Sequence, residues 1–290
     1  MNLFDTLVTE ALKNQPDLSP LRIAVEKELL HHDILRILRQ SNLMKELTFI
    51  GGTCLRTCYG GVRLSEDLDF TGGVNFSRKT LSTLGDTVIQ ELQEKYGLPV
   101  TVSEPVKDIH DVDTWKIKVV TRPERNHLPI QRINIDICSV KSYEKRPMFL
   151  QNHYGIDMGT DGLVVQAQSR EEIYADKLIA FALRPNRLKY RDLWDMVWLH
   201  QRGIEPHFSL IPLKLQDRNI SLDHFRASFD ERLKKLSEEK NLATELKKEM
   251  DRFLPHKQVL EQNQLWPSIV FLINELQKTM NMEISRNKGE

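Results

Sequence analysis

The segment from Gly51 to Phe70 combines a Gly-Gly turn, an Arg-Leu-Ser run and two alternating aspartates. Side chains two residues apart on a β-strand point to the same face, so Asp67 and Asp69 project together while Leu68 and Phe70 enter the core. Two adjacent carboxylates repel each other unless a divalent cation lies between them. The segment therefore predicts a short strand that holds a nucleotide through magnesium.

The composition narrows the class of protein. The chain has 290 residues and is 40% hydrophobic, so it can bury the core of one large domain or of two packed lobes, and we favour two. Basic and acidic residues number 41 each, so nucleic acid has to be bound by a local basic patch. Three cysteines without zinc-site spacing indicate reduced thiols. No apolar run approaches the roughly 20 residues of a membrane span, and we expect a cytoplasmic protein without a membrane partner.

Hydrophobic periodicity predicts both strands and helices in the first part of the chain and helices in the second part. The apolar run from Leu47 to Ile50 enters Gly51-Gly52, which predicts a strand that turns into a helix beginning near Thr53. The pattern predicts strands at 68–71, 100–102, 115–121 and 130–140, the last three antiparallel, and helices at 21–38, 77–96, 171–183, 191–201, 222–236, 242–253 and 258–280. A domain boundary is expected near residue 165.

A third acid lies on the strand predicted over residues 130–140. Its isoleucines alternate with polar residues, which places Asp136 on the face opposite the core. Transfer of a nucleotide requires neutralised triphosphate charge and an oriented attacking oxygen, for which three acids are the usual minimum. Asp136 is therefore the candidate to join Asp67 and Asp69 and to draw a proton from the incoming hydroxyl. Taken singly, an Asp-x-Asp pair or an acid on an exposed strand is more often only solvated.

The residues around the acid pair are suited to phosphates. The Gly51-Gly52-Thr53 turn opens a helix, whose first N–H groups and positive dipole end favour an anion, although such turns often have no ligand. Arg63 and Ser65 lie on the approach to the acids, and Arg63 can contact a triphosphate through its fork of donors.

A second block combines basic and acidic residues on predicted helices. Lys177 emerges from an apolar helix surface and needs an anionic partner, either a phosphate or an ordinary carboxylate. Asp192 and the neighbouring Asp195 could neutralise nearby arginines and fix the helices. A compact basic patch with Tyr190 among its members suits an RNA backbone and a stacked base, the alternative being a solvated helix connection. The patch consists of Arg184, Arg187, Lys189 and Arg191.

The two blocks resemble the AbiEii/AbiGii-type nucleotidyltransferases of the polymerase-β-like superfamily, the toxins of type IV toxin–antitoxin and phage abortive-infection systems. The matching runs are Gly-Gly-Thr-Cys-Leu-Arg at 51–56, Arg-Leu-Ser-Glu-Asp-Leu-Asp-Phe at 63–70, Glu-Ile-Tyr-Ala-Asp-Lys-Leu at 172–178 and Arg-Asp-Leu-Trp-Asp at 191–195. The resemblance implies an α+β fold, with a polymerase-β-like nucleotidyltransferase lobe of mixed β-sheet and N-terminal helices over residues 1–165. Residues 166–290 would form a helical C-terminal lobe.

The resemblance also implies ligands, partners and residue roles. It implies a nucleoside triphosphate, Mg²⁺ with Mn²⁺ as an alternative, an RNA acceptor such as the 3′ end of tRNA, and an antitoxin encoded nearby. Asp67, Asp69 and Asp136 would hold the metal, and Lys177 and Asp192 would complete the triphosphate pocket around the Gly51-Gly52-Thr53 turn and Ser65.

The expected activity is transfer of a nucleoside monophosphate to an acceptor hydroxyl by a growth-arresting toxin. Two alternatives stay open. The acceptor hydroxyl could belong to a protein or a small molecule, or the chain could be a non-catalytic regulatory module that binds triphosphate.

Overall fold

The computed structural model describes residues 2–105, 112–124, 129–185, 187–238, 241–255, 258 and 265–286. It contains two compact units, Met1–Gln168 and Ser169–Glu290. Within the described ranges, no helix has both the length and the apolar character that crossing a bilayer requires.

One mixed sheet organises the first unit. Its described strands are β1 (Thr48–Ile50), β2 (Leu68–Thr71), β3 (Val100–Ser103), β4 (Val112–Val119), β5 (Gln131–Cys138), β6 (Lys145–Phe149) and β7 (Val164–Gln168). Their order across the sheet is β3-β4-β5-β2-β1-β7-β6. Strand β1 is parallel to β7, and β2 is parallel to β5, whereas the other neighbours are antiparallel. The predicted α+β class and the antiparallel β3-β4-β5 arrangement are confirmed.

The helices of the first unit are α1 (Leu3–Asn14), α2 (Arg22–Gln40), α3 (Gly51–Tyr59) and α4 (Leu84–Tyr96). Helix α3 begins at Gly51, slightly before the predicted start near Thr53. The helix predicted over 77–96 is divided into a 3₁₀ turn, Arg78–Leu81, and α4. Helix α4 ends at Gly97, which adopts the left-handed conformation that glycine tolerates best. Sequence patterning predicted neither α1 nor the strands β6 and β7.

Alternation along the central strands separates a core face from a polar face. Leu68 and Phe70 of β2 are fully buried, as are Ile135 and Ile137 of the neighbouring β5. The rings of Phe49 and Phe70 stack with centroids 5.0 Å apart. Because successive side chains of a strand point to opposite faces, this packing directs the intervening aspartates away from the core.

The second unit is helical. Its described helices are α5 (Arg170–Leu183), α6 (Tyr190–Gln201), α7 (Leu210–Gln216), α8 (Leu222–Glu238), α9 (Leu242–Met250) and α10 (Leu265–Arg286). Phe181 of α5 and Phe229 of α8 make an edge contact at 5.0 Å in its core. The helices predicted near 171–183, 191–201, 222–236 and 242–253 are confirmed. Residues 259–264 of the last predicted helix lie outside the described residues.

Candidate active site

The three predicted acids lie on one face of two paired strands. Parallel β2 and β5 place Asp69 directly opposite Asp136. Asp67 immediately precedes β2, and its Oδ1 accepts the backbone N–H of Asn134 in β5 at 3.3 Å. Residues that are register partners in adjacent strands share a face of the sheet, so all three half-buried side chains belong to the same polar surface. The sheet therefore brings together acids that are far apart in the sequence.

Thr114 of β4 orients the third acid. It is the register partner of Asp136, and its Oγ1 donates to Asp136 Oδ1 at 2.7 Å. A donor to a carboxylate favours the charged form and restricts its rotation. Sequence reasoning missed Thr114 because the strand was predicted to begin at Trp115. Extending the alternation by one residue would have placed the Thr114 hydroxyl on the same face as Asp136.

Gly51 allows the second acid to approach helix α3 closely. Its φ is +76°, and a Cβ at this position would lie 2.7 Å from Asp69 Oδ2. The antiparallel register causes this proximity because Ile50 of β1, the residue before Gly51, pairs with Asp69 of β2. Any other residue at position 51 would meet both backbone strain and the Asp69 carboxylate.

We expect Gly51→Ala to lower nucleotide transfer by about 100-fold, because displacing a reacting group by about 1 Å costs that much. Gly97→Ala is the matched control, since Gly97 also has a positive φ, +64°, but no atom of the described residues lies within 4 Å of its added Cβ. Both variants should lose about 1–2 kcal/mol of unfolding free energy in denaturant titrations. Equal activity of the two variants would contradict the inferred role of the Gly51 contact.

Arg63 places positive charge at the first turn of α3. Its side chain is buried, and Nη1 donates to the Leu64 carbonyl at 3.1 Å. A Cβ at Gly52 would lie 2.2 Å from Arg63 Nη2, so this glycine makes room for the guanidinium. A guanidinium beside the N-terminal turn of a helix favours an anion. This arrangement suits the predicted phosphate contacts of Gly51, Gly52 and Arg63.

Thr53 and Ser65 connect α3 to the segment that precedes the acids. Their Oγ atoms are 2.6 Å apart, and the Thr53 hydroxyl also donates to the Asp67 carbonyl. Both side chains are buried. In the structure they fix the backbone before Asp67, while their predicted phosphate contacts stay a prediction.

Glu28 of α2 anchors the same segment from inside the protein. Its Oε1 accepts the Ser65 N–H at 2.9 Å, and its Oε2 accepts Arg56 Nε at 3.1 Å as well as the Tyr154 hydroxyl. Burial alone would raise the pKa of Glu28, but Arg56, Tyr154 and His31 outweigh it and hold the pKa below its usual value. Sequence reasoning missed Glu28 because a glutamate on an amphipathic helix resembles a solvent-facing residue.

Lys177 in the second unit lies between two carboxylates. Its Nζ is 2.9 Å from Asp192 Oδ1 and 2.7 Å from Asp195 Oδ2, and all three side chains are buried. Burial alone would raise the pKa of Asp192, but the charges of Lys177, Lys189 and Arg184 hold it well below its usual value. The described contacts of Lys177 are those of a salt bridge between α5 and α6. Its binding of triphosphate stays a prediction.

The four predicted RNA-binding cations have different surroundings. Arg184 Nη2 is 2.8 Å from Asp192 Oδ2, and Arg191 Nε is 3.3 Å from Glu249 Oε1. The Arg191 guanidinium also lies over the ring of Phe253. Of the four, Arg187 alone lines a groove of about 490 Å³ in the second unit. The sequence patch is therefore partly used for internal contacts.

We call the polar surface that carries Asp67, Asp69 and Asp136 the acid face. It has the chemistry of a magnesium site. Carboxylate oxygens are the protein ligands that Mg²⁺ prefers, and Asp67, Asp69 and Asp136 provide three groups. Within the described residues, no three His, Cys, Asp or Glu side chains are already arranged to hold a metal ion. The register nonetheless aligns Asp69 with Asp136, Asp67 lies two residues before Asp69, and the open space at Gly51 lets Asp69 reach the first turn of α3. The donor set thus fits Mg²⁺.

Comparisons with known proteins bear on the family and the fold of the chain. The family model of the nucleotidyl transferase AbiEii toxin of type IV toxin–antitoxin systems matches residues 33–268. A crystal structure of JHP933 from Helicobacter pylori is 17% identical, with a TM-score of 0.50, and the match covers 92% of this chain and 97% of that chain. A candidate nucleotidyltransferase from H. pylori is also 17% identical at a TM-score of 0.50, with coverage of 89% and 96%. No curated protein matches the chain.

The two crystal structures are similar in fold. At 17% sequence identity they support no conclusion beyond the fold. The family model spans most of the chain and includes both motif blocks, at 51–70 and at 172–195. The chain therefore belongs to the AbiEii family of nucleotidyltransferase toxins.

Proposed function

We propose that this nucleotidyltransferase uses Mg²⁺ to move a nucleoside monophosphate from a triphosphate to the 3′ hydroxyl of an RNA, with tRNA as the favoured acceptor. Such a modification in the cytoplasm would arrest growth by blocking translation. The register that pairs Asp69 with Asp136 beside Gly51 is the observation that carries the proposal. Residues 1–165 are proposed to act as the transferase lobe and residues 166–290 as the helical lobe.

The residues of the acid face and its surroundings would have different roles in the reaction. Asp67, Asp69 and Asp136 would hold Mg²⁺, or Mn²⁺ in its place, which neutralises charge on the triphosphate when bound. The N–H groups at the start of α3 and the Arg63 guanidinium would bind phosphate oxygens. Asp136, oriented by Thr114, would accept the proton of the attacking hydroxyl.

In the second block, Lys177 would bind the triphosphate in exchange for contacts with its carboxylate partners. Lys177 is held by Asp192 and Asp195, so a phosphate would compete with these two carboxylates for its ammonium. Asp192 would then keep Lys177 charged and oriented. The type IV toxin–antitoxin family suggests an antitoxin as a further partner, which would control this activity.

The proposal is tested by incubating the protein with each of the four labelled triphosphates and with total RNA, total protein or a small-molecule extract. We expect label in RNA with Mg²⁺ and none after chelation, because the carboxylates alone cannot neutralise the triphosphate. Sequencing of the labelled RNA then identifies the extended end.

The other outcomes are equally distinct. Label only in protein or in a low-mass product would move the acceptor to those classes. Pyrophosphate release at background level with every acceptor would contradict transfer and favour a module that only binds triphosphate. Incorporation that persists after chelation would contradict the role given to Mg²⁺.

A further inference from the structure

A groove of about 490 Å³ lies within the second unit, between the chain leading into α6, the last turns of α8 and helix α9. We call it the α8–α9 groove. Five cationic side chains line it, against two carboxylates. The cations are Arg187, Arg232, Lys235, Lys248 and Arg252.

The two carboxylates of the groove are engaged by residues other than these five cations. Glu245 accepts the hydroxyl of Tyr190 at 2.5 Å, and Glu249 pairs with Arg191 at 3.3 Å. Arg187 and Lys248 have no hydrogen bond from their side chains and no ion pair within the described part of the chain. The α8–α9 groove therefore carries positive charge that the described residues do not neutralise.

The size and the charge of the groove favour one class of ligand. Its volume is in the range of pockets that hold small molecules, about 300–1,000 Å³, and is far too small for a nucleic-acid duplex. A protein partner would need a wider surface, about 800 Å² on each side. Arginine forks match phosphate oxygens, and Leu188 and Leu242 add aliphatic surface against which a base can lie.

We propose that the α8–α9 groove binds a single-stranded segment of the acceptor RNA, with Arg187 and Lys248 contacting its phosphates. This inference rests on the proposed function and adds a second RNA contact, distinct from the acid face. It assigns the helical unit the task of holding the acceptor.

The matched pair Lys248→Gln and Lys247→Gln tests the groove. The two lysines are adjacent on α9 and both exposed, but only Lys248 lines the groove. Binding of a labelled single-stranded RNA oligonucleotide to the full chain is measured by fluorescence anisotropy without triphosphate over a range of salt. We expect Lys248→Gln to bind several-fold more weakly and to flatten the slope of log K against log salt by about 0.7, the value of one lost contact to single-stranded phosphate. Lys247→Gln should match the wild type.

Arg187→Gln is a second variant and should reproduce the change seen with Lys248→Gln. Denaturation midpoints equal to the wild type would show that the exposed variants fold. Identical RNA binding by the Lys247 and Lys248 variants would overturn the proposal. Competition by a polyglutamate peptide as strong as that by RNA would identify a protein-binding surface instead. Complete displacement by a free nucleotide would identify a nucleotide pocket instead.

Binding and transfer fail separately in this design. If the two lysine variants differ in RNA binding but no label enters RNA, the result supports the groove proposal and contradicts the proposed function. If RNA is labelled but the two variants bind RNA alike, the result supports the proposed function and contradicts the groove proposal.

Discussion

Asp69→Asn is expected to reduce nucleotide transfer by about 10³-fold or more while the protein stays folded. Asp69 is the register partner of Asp136 and lies against the first turn of α3, so its charge belongs to the centre of the acid face. Metal-assisted stabilisation of phosphoryl-type transition states supplies several kcal/mol, and each 1.36 kcal/mol corresponds to tenfold in rate. The amide has nearly the same shape as the carboxylate but no charge. Single-turnover incorporation of labelled nucleotide at saturating Mg²⁺ measures the loss.

Asp113→Asn is the matched control for this variant. Asp113 lies on β4, one residue before Thr114, so it faces the opposite side of the same sheet, where it is 3.6 Å from Arg78. The same substitution there should change activity less than twofold, as for a partly exposed ion pair outside the reaction site. An Asp69→Asn rate within tenfold of the wild type would reject the central role of the acid face.

Glu28→Ala is expected to lower the free energy of unfolding by about 3–5 kcal/mol, because it leaves the buried charge of Arg56 without its carboxylate partner. Arg56 would keep the Gly61 carbonyl, to which its Nη1 donates at 2.8 Å, and its hydrogen bond with Tyr154, neither of which carries a compensating carboxylate charge. The variant also removes the acceptor of the Ser65 N–H and therefore loosens the segment that leads to Asp67. Urea titration followed by circular dichroism measures the loss.

Two further variants separate the charge effect from a general effect of truncation. Glu91→Ala removes a partly exposed acid that is 3.8 Å from Arg36, and this should cost under about 1 kcal/mol. The double variant Glu28→Ala/Arg56→Ala should lose less than the sum of its two single variants, since no unpaired charge remains. Additive losses in this cycle would contradict a coupled buried pair.

The acid face illustrates what sequence can predict. Alternation alone assigned Asp67 and Asp69 to one side of a strand, and it assigned Asp136 to the polar side of another. These are local properties, since they follow from a period of two residues. The pairing of β2 with β5 is not local, because it joins strands more than 60 residues apart around the β3-β4 hairpin. Only the structure shows that Asp69 and Asp136 are direct neighbours.

Buried polar residues account for most of what the sequence could not predict. Glu28 lies on a helix face that its charge marks as solvated, but Arg56 and Tyr154 compensate for its burial. Partners that lie so far apart in the sequence produce no spacing pattern from which their contact could be predicted. Strand β6 was missed because it is an edge strand of mixed polarity that contains Pro147, a residue typical of turns and sheet edges.

The parallel pairing of β2 with β5 has a consequence for the newly made chain. During synthesis Asp67 and Asp69 leave the ribosome well before Asp136. The set of three acids is complete only after β5, which carries Asp136, has paired with β2. A nascent chain or a fragment ending before residue 131 would therefore lack the proposed three-acid set. The acid set proposed for nucleotide transfer is therefore complete only once the sheet has closed.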